Sequence, residues 1–199
     1  MNFLAHIYLS GNNEKLMIGN FIGDFVKGNQ LNDFELEIKQ GIHLHRAIDE
    51  YTDQHPIVSQ SKDRLRAKYR HYSGVITDVF YDHFLAKNWD VYHPKPLLEF
   101  TLDTYKKIQG YSEILPKGAR YMLPYMIENN WLYNYSKVEG INKALSGMAN
   151  RTKFHSKMEQ AVEDLKINYE AFDKEFNLFF VELKAFVSNW IAVEKDKIS

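Results

Sequence analysis

The chain contains no cysteine. That absence removes disulfides, zinc–thiolate centres, iron–sulfur clusters and thiol nucleophiles together, and any metal must be held by His, Asp and Glu. Such a ligand set suits Mn²⁺, Mg²⁺, Fe²⁺ or Zn²⁺ with oxygen-rich coordination. A reducing compartment is in keeping with the lack of cysteine, and the cytoplasm is the expected location. Basic residues are not in excess: 25 Lys and Arg stand against 26 Asp and Glu. The chain as a whole therefore exerts no pull on nucleic acid or an anionic membrane, and neither is expected as a partner. The N-terminal MNFLAHIYLSGNNEK has no basic region of the kind that opens a signal peptide. No stretch reads as the run of roughly 18 apolar residues that a membrane span needs. There is no P-loop, G-x-G-x-x-G, G-x-S-x-G or H-E-x-x-H, so the common nucleotide, serine-hydrolase and zinc-protease signatures are missing.

Breakers are few as well, with five prolines and ten glycines in 199 residues. Long segments between them keep a helical period, and strand-like alternation is scarce. The composition, 45% hydrophobic with thirteen Tyr and thirteen Phe, suits a bulky multi-helix core. We expect one all-α domain over 1–199, a multi-helix bundle. The pattern predicts helices over 2–9, 14–27, 34–52, 57–70, 74–87, 97–108, 118–133, 138–147 and 153–190, the last broken or kinked. His55-Pro56 ends the third, because a residue before proline avoids the α region.

Four segments carry candidate chemistry. In VITDVFYDHFLA (75–86), apolar groups surround the helix, yet Asp78 and Asp82 fall at i and i+4 on one stripe, with His83 beside it. Two neighbouring carboxylates in an apolar helix repel each other and resist desolvation, so a divalent cation or an Arg or Lys partner must neutralise them. In GIHLHRAIDEYTD (41–53), His45 and Asp49 share an edge at i and i+4. They can share a metal, or Asp49 can orient His45, or they can form an ordinary pair. Arg46 is placed to hold a phosphate or to sit in solvent. In LMIGNFIGDFVKG (16–28), Gly19 and Gly23 permit close approach of another backbone, and Asp24 is either a ligand or a cap for a neighbouring helix. His6 is a lone histidine among apolar residues. Finally, KDRLRAKYR (62–70) carries two basic stripes, Lys62-Arg66-Arg70 and Arg64-Lys68-His71, which are a solvated face or a surface that steers an acidic partner.

The segments NFLAHIYLS, IGNFIGDFVKG, GIHLHRAIDEYTDQHPIV and YSGVITDVFYDHFLAKNW, in this order, resemble the acyl carrier protein phosphodiesterases. Looser agreement continues through NNWLYNYSKVEGINKAL, MANR and FNLFF. The resemblance implies an all-helical fold related, with rearranged topology, to the HD-domain metal phosphohydrolases, although the usual His-Asp dyad appears here only as the reversed Asp82-His83. It implies hydrolysis of the phosphodiester between 4′-phosphopantetheine and a serine of holo-acyl carrier protein, dependent on a divalent cation, Mn²⁺ first and Mg²⁺ or Fe²⁺ as alternatives. On this reading His6, Asp24, His45, Asp49 and Asp78 hold the metal. His83, Arg46 and Asp82 form the catalytic set, with His83 or His6 protonating the leaving oxygen. Arg64, Arg66, Lys68 and Arg70 dock the acidic carrier protein. Two rival readings are a metal phosphohydrolase of nucleotides or other small phosphoesters, and a non-catalytic helical binding module.

Overall fold

A computed structural model describes residues 1–196; residues 197–199, the end of the expected domain, lie outside the described residues. The described chain is helical and without strands, as expected. Twelve α-helices follow one another: α1 (Phe3–Leu9), α2 (Glu14–Ile22), α3 (Leu36–Gln54), α4 (Pro56–Tyr69), α5 (Ser73–Lys87), α6 (Trp89–Tyr92), α7 (Leu97–Gly110), α8 (Lys117–Glu128), α9 (Trp131–Asn134), α10 (Val138–Ala149), α11 (Ala161–Ile167) and α12 (Tyr169–Asp196). Short 3-10 turns occupy Gly23–Phe25, Gly28–Asp33, Arg70–Tyr72 and Met158–Gln160.

Local chemistry explains the boundaries. Asn13 caps α2, its side chain accepting from the Leu16 N–H at 3.0 Å, which satisfies one of the orphan donors of a helix start. His55 is extended ahead of Pro56, so α3 stops at Gln54 and α4 begins with proline at its first position. The predicted helix over 118–133 is two helices, because Asn130 takes a left-handed conformation with φ of 39°. The predicted 153–190 helix is cut twice: Lys157, also left-handed, precedes the 3-10 turn, and Asn168 separates α11 from α12.

Three packings position the site. The first is a close crossing of α2 on α3. A Cβ added to Gly19 would lie 2.0 Å from the Ile38 carbonyl oxygen, and one on Gly41 would lie 2.2 Å from the Leu16 carbonyl oxygen. Only glycine permits this approach of two backbones. Gly23 serves differently, since its missing side chain makes room for the His45 ring rather than for a backbone. Second, α5 is buried on nearly every face, from Ile76 through Ala86, although Val75 is exposed. Third, α12 lays Phe172, Phe176, Phe179, Phe180 and Leu183 into the core and packs on α3, α4 and α5. By length and composition alone, α12 is long and apolar enough to cross a membrane. This corrects the expectation that no segment approaches that size; its aromatic face is spent on the core.

Candidate metal centre

The groups expected to bind a metal come from four segments and meet at one place. His6 lies on α1, Asp24 in the Gly23–Phe25 turn, His45 and Asp49 on α3, and Asp78 on α5. Ligand atoms of His6, His45 and Asp49 all lie within 4.8 Å of one another. The two imidazoles stack, with centroids 4.0 Å apart. Asp49 spans them: Oδ1 is 3.2 Å from His6 Nε2 and Oδ2 is 3.1 Å from His45 Nε2. Asp24, exposed on the outer side, stands 3.2 Å from His45 Nε2. Asp78 joins from behind through the α-amino group of Met1, which is 3.2 Å from Asp78 and 3.4 Å from Asp49. The Nδ1 atoms of both histidines point the other way, onto Asn20.

The electrostatics follow from this crowding. Burial pushes the His6 imidazole down, neighbouring His45 adds to the effect, and Asp49 only partly offsets it, leaving His6 at about 4. Burial also acts to lower His45, but hydrogen bonding to Asp24 and Asp49 outweighs it and holds this ring at about 9. Asp49 resists desolvation, yet His45 and His6 hold its carboxyl far below the usual carboxylate range. Burial raises Asp78, with the Met1 amine opposing.

A divalent cation fits this donor set. His6 is neutral near pH 7, and its Nε2 faces two further acceptors, Asp49 Oδ1 and the Met1 carbonyl oxygen, each at 3.2 Å. His45 Nε2 has the Asp24 and Asp49 carboxylates at 3.2 and 3.1 Å but no well-aligned hydrogen bond to either. Carboxylates converging on two imidazole nitrogens call for positive charge, which either a protonated His45 or a cation supplies. Imidazole and carboxylate donors together suit the transition ions named above.

The other expected residues are placed elsewhere. Asp82 is fully buried and accepts the N–H groups of Leu4 at 2.8 Å and Ala5 at 3.2 Å. Asn2 offers α1 no side-chain cap, so Asp82 supplies one from α5, with both carboxylate oxygens engaged by the backbone. It is thus Asp82, not Asp24, that caps a neighbouring helix. Replacing Asp82 with alanine strands two buried donors, and thermal denaturation should show a loss of about 1–3 kcal/mol, with metal affinity of the folded protein kept within a few fold.

His83 is also turned away. Its Nδ1 is 2.8 Å from the Tyr135 carbonyl oxygen and its Nε2 is 2.8 Å from the Tyr169 hydroxyl, which also receives Lys87. Burial pushes its pKa down. With both ring nitrogens engaged, His83 has no free proton to give at the cluster. Arg46 is exposed beside His45 and donates to the Val26 carbonyl at 3.3 Å, two residues beyond Asp24.

The basic run divides. Arg64 forks onto the buried Glu175 at 2.5 and 2.7 Å, and Lys68 pairs with Asp164 at 2.9 Å. These two bind α4 to α12 and α11 rather than standing free for a partner. Arg66 and Arg70 remain exposed, Arg66 in a surface pair with Asp63.

Comparison with known proteins identifies the family. The profile of the family Acyl carrier protein phosphodiesterase matches residues 1–183. The chain is 32% identical over 181 residues to a protein named acyl carrier protein phosphodiesterase in Photorhabdus laumondii, covering 90% of this chain and 91% of the relative. It is 32% identical over 181 residues to one of the same name in Yersinia enterocolitica, with 90% and 94% coverage. For one in Escherichia coli the identity is 32% over 190 residues, with 95% and 98% coverage. No solved structure matches the chain.

Proposed function

Because the chain belongs to the acyl carrier protein phosphodiesterase family, we propose that it hydrolyses the phosphodiester joining 4′-phosphopantetheine to a serine of holo-acyl carrier protein, at a divalent-cation centre held by His6, His45 and Asp49. The observation that carries the metal part is the convergence of ligand atoms of His6, His45 and Asp49 within 4.8 Å of one another, with Asp24 beside them.

In this reading water adds to phosphorus, the bond from phosphorus to the serine oxygen breaks, and the serine oxygen takes up a proton. The products are apo-carrier protein and free 4′-phosphopantetheine. A bound divalent cation supplies a more acidic water and neutralises phosphoryl charge. The chain's own residues do the rest. His6, His45 and Asp49 hold the ion, and Asp24 and Asp78 extend the anionic rim on either side. Asp24, exposed at the mouth, is placed to orient the attacking water. Arg46 reaches the same mouth and offers a fork of donors to the phosphate oxygens. Mn²⁺ is the ion of first choice, with Mg²⁺ and Fe²⁺ as alternatives.

The test is the mass of purified holo-acyl carrier protein after incubation with the enzyme and Mn²⁺. Loss of one phosphopantetheine, abolished by EDTA, is the expected result. No loss with Mn²⁺, Mg²⁺ or Fe²⁺ from a folded enzyme would turn the reading to other phosphoesters, which a nucleotide panel would then sort.

Carrier-protein docking falls to the exposed face of α4 and the turn that follows it, through Arg66 and Arg70. Arg66→Glu with Arg70→Glu should lower kcat/KM for holo-carrier protein roughly tenfold at low ionic strength, through slower association. The effect should shrink in salt as the Debye length contracts. Equal kinetics of wild type and double variant at low salt would exclude this face.

A further inference from the structure

Asn20, on α2, is fully buried, and it touches both histidines of the centre with different parts of itself. Its side-chain oxygen Oδ1 is 2.8 Å from His6 Nδ1. Its main-chain carbonyl oxygen is 2.7 Å from His45 Nδ1. Its Nδ2 donates to the His6 carbonyl at 2.8 Å and to Ser10 Oγ at 2.9 Å.

The last pair fixes the amide. A main-chain carbonyl only accepts, so the group facing it must be the NH₂, and Oδ1 must be the atom that faces the imidazole. Each ring also meets acceptors at Nε2, but at 3.1–3.2 Å; the Asn20 oxygens are closer, 2.8 Å from His6 Nδ1 and 2.7 Å from His45 Nδ1, so the first proton sits on Nδ1. Both histidines are therefore protonated at Nδ1. In a neutral ring that leaves the lone pair on Nε2, and in both rings Nε2 points at Asp49.

We infer that Asn20 is the positioning residue of this centre, selecting the tautomer and aim of both imidazoles so that two Nε2 atoms present their lone pairs to one ion. The purpose rests on the metal reading above, whereas the tautomers do not. One residue can reach both rings because Gly19, its neighbour, lets α2 sink onto α3 at Ile38 and Gly41. Groups that hold the distal nitrogen of a ligating histidine typically change metal affinity 10- to 100-fold when lost. The two holds differ in kind. His6 depends on the Asn20 side chain, and His45 on its main chain, which substitution does not remove.

The experiment uses the full chain labelled with ¹⁵N in histidine. Long-range ¹H–¹⁵N spectra report which ring nitrogen carries the proton, and titration with Zn²⁺, which is diamagnetic, reports affinity. In the metal-free wild type near pH 7, His6 should show a protonated Nδ1 and a bare Nε2. In Asn20→Leu, His6 should lose this preference while His45 keeps its Nδ1 proton, and the Kd for Zn²⁺ should rise by about 10- to 100-fold. Asn20→Asp, which restores an acceptor opposite His6 Nδ1, should recover the Nδ1 proton. A merely structural role would disturb both histidines alike or neither. A His6 proton on Nε2 in the wild type overturns the inference without recourse to any variant, as does an unchanged His6 in a folded Asn20→Leu protein. Wild-type protein that binds no Zn²⁺ refutes the metal reading instead, and the tautomer spectra still decide on Asn20.

Discussion

Replacing Asp49 with alanine should lower kcat/KM on holo-acyl carrier protein by about a thousandfold or more, equivalent to roughly 4 kcal/mol of transition-state stabilisation. Asp49 is the carboxylate that touches both imidazoles, at 3.2 and 3.1 Å, and it contributes the negative charge that makes a divalent ion welcome between them. Without it, two stacked rings 4.0 Å apart face each other with Asp24 the carboxylate left in direct contact. The same variant should separate binding from folding. Mn²⁺ at a thousandfold excess over its Kd stabilises a protein that binds it only when folded by about 4 kcal/mol. For a chain of this length each kcal/mol moves Tm by roughly 2–4 °C. Wild type should show that rise and EDTA should abolish it. Asp49→Ala should melt at one temperature with or without Mn²⁺. A rise retained in the variant would mean that the ion is held elsewhere.

Gly41→Val should be among the most destabilising single changes in the N-terminal half, at about 4 kcal/mol or more. Overpacking ordinarily costs about 1–3 kcal/mol, because side chains can shift to relieve it. Here the obstacles are main-chain atoms, the Leu16 carbonyl oxygen at 2.2 Å and Gly19 Cα at 2.7 Å from the added Cβ. The two helices must separate to admit it, and that separation also carries Asn20 away from His45. Gly147 is the control. It lies within α10 and meets nothing within 4 Å of an added Cβ, so Gly147→Ala should stabilise by roughly 0.5–1 kcal/mol through helix propensity. Urea midpoints of the two variants should move in opposite directions. A Gly41→Val protein as stable as wild type would show that the crossing is not as tight as described.

Much of the centre is legible in the sequence because its residues break a pattern. Asp24 interrupts an apolar run, and His45 and Asp49 share the edge of an apolar helix face at i and i+4; such groups need partners wherever they go. The same rule, however, cannot say who the partner is. Asp82 and His83 break the pattern of the apolar α5 as loudly as any residue in the chain, yet one caps α1 and the other is held by Tyr135 and Tyr169. A carboxylate that satisfies backbone N–H groups and one that faces a metal look alike in one dimension. Asn20 stands between Gly19 and Phe21 with nothing local to single it out, because its double hold on two rings depends on the α2–α3 crossing.

The basic run misleads for a related reason. Its two stripes are correctly read from helical period, but the carboxylates that neutralise one of them, Glu175 and Asp164, lie 111 and 96 residues away. Helix ends were clear at His55-Pro56, where the rule is local. They were obscure at Asn130 and Lys157, where residues other than glycine adopt positive φ.

The place of α12 bears on how the enzyme comes into being. The candidate ligands lie in the first 80 residues or so, and ribosomes deliver them first, at about 5–20 residues per second. The apolar backs of α3, α4 and α5 remain uncovered until Phe172, Phe176, Phe179 and Leu183 arrive. Contacts across so long a stretch of chain close late, since loop entropy must be overcome before they form. The helices that carry the cluster of His6, His45 and Asp49 are therefore covered on their apolar backs only when synthesis is nearly finished.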